Sequence, residues 1–183
     1  MNLDLFPLGW VHLVASLVAI AIGAVVLVHT KGTAVHKARG WIYAAAITVT
    51  SLTALAIYRL GVFFFAHWFA VATLIITAAG ISAAHFKIPR TGWMHLHLTC
   101  MAASFYILIG GAVNEVFLRV TFLQHLIPDS NLPVAIAATH YSMMLLFALL
   151  IIYFNGAVLM RSRTMRRILV EQTSGSMGPA AKR

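Results

Sequence analysis

The chain has 183 residues, 61% of them hydrophobic and 9% charged, with a formal net charge of +9. That composition is too apolar for a water-soluble domain and suits a small polytopic membrane protein. The positive charge sits in short juxtamembrane loops, where membrane orientation and anionic lipid account for it, so no nucleic-acid partner is expected.

Runs long enough to cross about 30 Å of hydrocarbon, at about 20 residues each, are Leu8–Val28, Trp41–Tyr58, Val62–Ala84, Trp93–Val113 and Val134–Met160. The expected fold class is all-α, an integral membrane bundle of five transmembrane helices. It forms one domain over residues 1–170, with a disordered cytoplasmic tail over 171–183 whose Ser, Gly and Pro show no apolar period. The first span follows Asp4 without a basic run and ends without a small-residue cleavage site, so it is expected to stay attached. It carries His12 and Gly23, and the loop after it carries His29 and His36.

The second and third spans are rich in small residues (Ala44-Ala45-Ala46, Ala78-Ala79-Gly80, Ala83-Ala84), which let helix backbones approach closely and leave less room for a large ring. His67 stands near the start of the third span and His85 at its end. The fourth span opens with His95 and His97, places Met101 on the face of His97 four residues on, and contains Cys100, a lone cysteine that forms no intrachain disulfide. Tyr106, Asn114 and Arg119, close to Glu115, mark a candidate outer pocket; His125 follows in the outer loop, and His140 opens the fifth span.

Lys31, Lys37, Arg39, Lys87, Arg90, Arg161, Arg163, Arg166, Arg167, Lys182 and Arg183 share one side of the expected membrane. Only Arg59 and Arg119 fall on the other, with Asp4, Glu115 and Asp129. The positive-inside rule then gives an outward N-terminus and a cytoplasmic C-terminus, in a multi-pass protein of a prokaryotic inner membrane. The order His12, Gly23, His29, Gly40-Trp41 is repeated as His67, Gly80, His85, Gly92-Trp93, which suggests a parallel repeat of two helical hairpins.

Ionisable groups inside hydrocarbon are functional-site hypotheses by default, and histidine is nearly the only one these spans hold. His12, His67 and His140 lie about four to six residues past the starts of three helices that run the same way, hence at similar depth. Three converging imidazoles would bind a transition metal, zinc, copper or iron, with Glu115 and His125 as further ligands. The competing reading is three interfacial side chains bonded to carbonyls or headgroups. On the cytoplasmic side His29, His85 and His95 read as solvated, whereas His36, His97 and Met101 form a second candidate cofactor-binding set. His95 and His97, about 200° apart around a helix, do not face the same core.

The stretch Lys31-Gly32-Thr33-Ala34-Val35-His36, with Gly40 after it, His12 and His67 opening two helices, and His97-x-x-x-Met101, resembles a prokaryotic family of predicted multi-spanning membrane proteins of unknown function. The resemblance runs from about Val11 to Arg119 and implies importance for His12, His36, His67 and His97; His140 and Glu115 lie outside it. A weaker similarity is to small transmembrane b-type cytochromes, which imply haem b held by paired histidines. No Cys-x-x-Cys-His for covalent haem occurs.

The expected function is a membrane-embedded, histidine-ligated metalloprotein in redox chemistry or electron transfer, with a redox partner or quinone. Whether it is a membrane oxidoreductase is left open. The alternatives are a haem b cytochrome, a proton-coupled or metal-ion transporter, which with five helices would call for a homodimer, and a non-catalytic assembly or sensor subunit.

Overall fold

The computed structural model describes residues 7–57, 63, 65–128 and 130–176. Among these there are six helices and no strand: α1 (Pro7–Val28), α2 (Ala34–Ala56), α3 (Phe65–Phe86), α4 (Trp93–Arg119), α5 (Thr121–Leu126) and α6 (Leu132–Ser176). Four of them, α1, α3, α4 and α6, are long and apolar enough to cross a membrane. α2 is equally long, but it carries Lys37, Arg39, Thr48, Thr50, Ser51 and Thr53. Its hydroxyls are tolerable because neighbouring helices cover Thr50, Ser51 and Thr53. Thr48, Thr50 and Thr53 also donate to the carbonyls of Ala44, Ala46 and Val49 one turn back, at 2.7, 2.9 and 2.7 Å.

Local chemistry sets where the helices begin. Gly32 takes φ +82°, a left-handed turn that costs glycine nothing, and Thr33 then caps α2 with its hydroxyl accepting the His36 N–H at 3.1 Å. The cap starts α2 seven residues before the apolar run at Trp41. At α4, Gly92 (φ +112°) serves as the N-cap, and the Lys87 ammonium sits over the Trp93 ring at 3.5 Å.

α4 is the hub, packed against α1, α3, α5 and α6, while α2 packs against α1 and α3. The buried cluster joins Ala19, Tyr43, Ile47, Phe105, Leu108 and Phe147 from four helices. Inside it the Tyr43 and Ser104 hydroxyls are hydrogen-bonded at 2.9 Å. A Cβ on Gly23 would stand 2.6 Å from the Phe105 ring and 2.9 Å from that of Tyr43, so this glycine is what lets α1 lie on the core. Outward, α6 turns Leu145, Leu149, Ile152 and Tyr153 to the surface, an apolar coat that suits lipid contact.

Besides the early start of α2, three features differ from the sequence expectation. α5 is a short helix in what reads as an outer loop. α4 continues beyond Val113 to Arg119. α6 has 45 residues, about 68 Å at 1.5 Å per residue, and runs past the expected boundary at 170 to Ser176. The Arg, Met, Leu and Gln that follow Met160 are good helix formers, and no glycine interrupts them before Gly175. Asp4, Tyr58, Arg59, Val62, Asp129 and residues 177–183, including Lys182 and Arg183, lie outside the described residues.

Candidate cofactor-binding site

At the end of the bundle that carries Lys31, Lys37, Arg39, Lys87 and Arg90, here the basic end, two histidines are built into helix starts. His36 is held at the third position of α2 by the Thr33 cap, so the Lys-Gly-Thr-x-x-His motif has a mechanical meaning: turn, cap, histidine. His97 lies in the second turn of α4, and its Nδ1 donates to the Gly80 carbonyl at 2.8 Å. A carbonyl only accepts, so Nδ1 carries a proton, and whenever the ring is neutral its lone pair is on Nε2.

Gly80 makes that bond reachable. A Cβ there would stand 2.9 Å from the Cys100 Cβ and 3.1 Å from the Met101 sulfur, closer than side chains tolerate. Met101, which shares the His97 face, therefore packs against α3 and the core cluster.

His36 and His97 are near enough for the charge of one to act on the other. Burial, then the charge of His97, then that of Lys31 hold the His36 imidazole below the usual histidine range. His36 Nδ1 is buried with no hydrogen-bond partner among the described residues. This end thus offers one buried imidazole nitrogen without a hydrogen-bond partner among the described residues and, within range of its charge, a second imidazole held in rotation by a carbonyl.

The opposite end differs. His12 turns into the α1–α2 seam, its Nδ1 within 3.1 Å of the Thr50 carbonyl oxygen and 3.0 Å of Thr53 Oγ1. His67 is buried and stacked on Phe63, centroids 4.8 Å apart. His140 donates from Nδ1 to the Ile136 carbonyl at 2.9 Å and lies against Gly110 of α4. Glu115 and His125 are exposed on α4 and α5. No group of three or more His, Cys, Asp or Glu able to hold a metal occurs among the described residues. Similar depth does not bring the three rings together, because α1 leans on α2, α3 packs on α2 and α4, and α6 packs on α4.

The remaining histidines are local. His29 bonds the Val25 carbonyl at 3.0 Å on an exposed surface, and His85 meets Phe86 edge-on. His95 departs from the solvated reading: its Nδ1 bonds Asn155 Oδ1 at 2.5 Å, and the Asn155 amide reaches Thr99 Oγ1 and the Ile151 carbonyl, clamping α4 to α6. Sequence reasoning passed over Asn155, although an amide within an apolar span is the signal that finds such a clamp. As their spacing requires, His95 and His97 bond to different helices.

Compared with known proteins, the chain matches no family model, no curated protein and no solved structure.

Proposed function

We propose that the chain is a membrane-embedded redox protein whose histidine-ligated centre is held by His36 and His97 at the basic end. The observation that carries this reading is the buried, partnerless His36 Nδ1 beside His97, whose own Nδ1 is fixed to the Gly80 carbonyl. Ligating histidines almost always donate their second nitrogen to a carbonyl, carboxylate or water, which is the bond His97 makes.

Two imidazoles suit haem b better than a bare ion, because haem iron takes two axial ligands from protein whereas zinc takes three or four. Haem with two histidine ligands would supply a one-electron couple with no open coordination position, hence electron transfer rather than turnover. Thr33 sets the height of His36, the Gly80 carbonyl sets the rotation of His97, and both residues are part-buried. By the positive-inside rule this end faces the cytoplasm. An outer metal on His12, His67 and His140 has less support, since among the described residues no such cluster forms.

The test is the visible spectrum and iron content of purified protein. A Soret band with about one iron per chain is expected. A colourless, iron-free protein after expression with ample haem supply overturns the reading.

A further inference from the structure

The two proposed ligands are anchored by different means. The Thr33 hydroxyl caps α2 and so fixes the turn that carries His36, whereas α4 opens on Gly92, which makes no side-chain cap bond. The first two turns of α4 are held instead by bonds to neighbouring helices. On one side His97 Nδ1 donates to the Gly80 carbonyl of α3 at 2.8 Å. On another side Asn155 of α6 attaches at two points: its Oδ1 accepts from His95 Nδ1 at 2.5 Å, and its Nδ2 donates to Thr99 Oγ1 at 3.2 Å.

The polarity of the attachment is fixed. Nδ2 also donates to the Ile151 carbonyl at 2.9 Å, so both amide hydrogens are committed and Oδ1 is the atom left to face the histidine. His95 and Thr99, four residues apart, share a face of α4, so Asn155 spans one turn of that helix and resists both its sliding and its rolling against α6. His95 and His97 are about 200° apart around the axis. Any roll that the Asn155 attachment prevents would therefore carry His97 Nδ1 away from the Gly80 carbonyl. Asn155 is the only amide side chain between Leu132 and Met160, in a span with few competing donors or acceptors.

We propose that Asn155 is a positioning residue for His97: by holding His95 and Thr99 it sets the roll of α4 at which the His97 ring meets the Gly80 carbonyl. The use of that orientation rests on the reading of His97 as a ligand. The orientation itself does not, and it can be observed without cofactor.

Nitrogen NMR of the full chain in lipid nanodiscs, cofactor-free, labelled at its histidine nitrogens and held at about pH 8.5 so that the imidazoles are neutral, tests the assignment. The His97 signals are those missing from His97→Gln. In the parent, His97 should be a single tautomer protonated on Nδ1. Asn155→Leu should turn it into a mixture of tautomers, and Thr99→Val, which spares the His95 bond, should do so to a smaller extent. Gly23→Ala, which overpacks the core away from Asn155, should keep the parent tautomer and so separates positioning from general destabilisation. Haem affinity should fall about threefold in Asn155→Leu, the effect of one interhelical hydrogen bond in a membrane. A parent-like His97 tautomer in Asn155→Leu, the same mixture in Gly23→Ala, or unchanged haem affinity alongside a mixed tautomer would each overturn the proposal. A parent that takes up no haem would remove the redox reading alone, because the nitrogen signals are recorded without it.

Discussion

The two ends of the bundle both carry histidines in the first turns of helices, yet they hold them in different ways. At the basic end a helix cap holds His36 within reach of the His97 charge, and a carbonyl of a third helix holds His97 in rotation. At the opposite end His12, His67 and His140 sit at similar depth but face an α1–α2 seam, a phenylalanine and an α4 glycine, respectively. Depth follows from counting residues along a helix. Direction around the axis follows from which helices touch, and a shared site requires both.

The sharpest way to break this comparison is by substitution at the two ends. His97→Ala should abolish the Soret absorbance of the purified protein, and His29→Ala, an exposed histidine at the same end, should leave it unchanged. A spectrum that survives His97→Ala and vanishes in His67→Ala would exchange the roles of the ends.

Next in size are the close contacts that hold the basic end together. Gly23→Ala and Gly80→Ala each force a methyl within 3 Å of a neighbouring side chain, Phe105 and Cys100 respectively. Each should cost about 1–3 kcal/mol by overpacking, read as a shifted unfolding midpoint in mixed detergent. Only Gly80→Ala should also lower cofactor loading, because only Gly80 carries the carbonyl that orients His97. Equal loss of loading in both variants would show that general destabilisation explains it.

Much of this was legible in the sequence. The apolar runs gave four of the long helices within a few residues at their starts, and the Lys31–His36 loop together with His97-x-x-x-Met101 singled out two histidines close enough for the charge of one to act on the other. What escaped was information carried by neighbours. α2 starts early because of the Thr33 hydroxyl, α6 continues because its basic residues are good helix formers, and His95 is bonded because Asn155 arrives from another helix. The expected convergence of His12, His67 and His140 assumed that equal depth implies a common direction, and among the described residues no group of three ligands forms.

A smaller effect sharpens the role of the cap. Thr33→Ala removes the bond to the His36 N–H and should destabilise the start of α2 by about 1 kcal/mol, with Thr33→Ser restoring it. Amide hydrogen exchange at residues 34–37 is the appropriate measurement, and unchanged protection would show that the cap is not what positions His36.

The smallest expected effect is on acid stability in protein prepared without cofactor. His36 is held below the ordinary histidine range, so the unfolded chain takes up its proton first as pH falls. Its contribution is therefore fully present above about pH 6.5 and is lost as pH drops through that value toward the lower folded one. A thermal midpoint that declines below about pH 6.5 in the parent protein and less so in His36→Gln would agree; parallel declines would assign the effect to other groups.

The most direct test of the central claim is the visible spectrum of four purified variants measured side by side with their iron content: His36→Ala, His97→Ala, His12→Ala and His140→Ala. The account predicts loss of the Soret band and of iron in the first two and retention of both in the last two. Retention in His36→Ala and His97→Ala, or loss confined to the other pair, would contradict it.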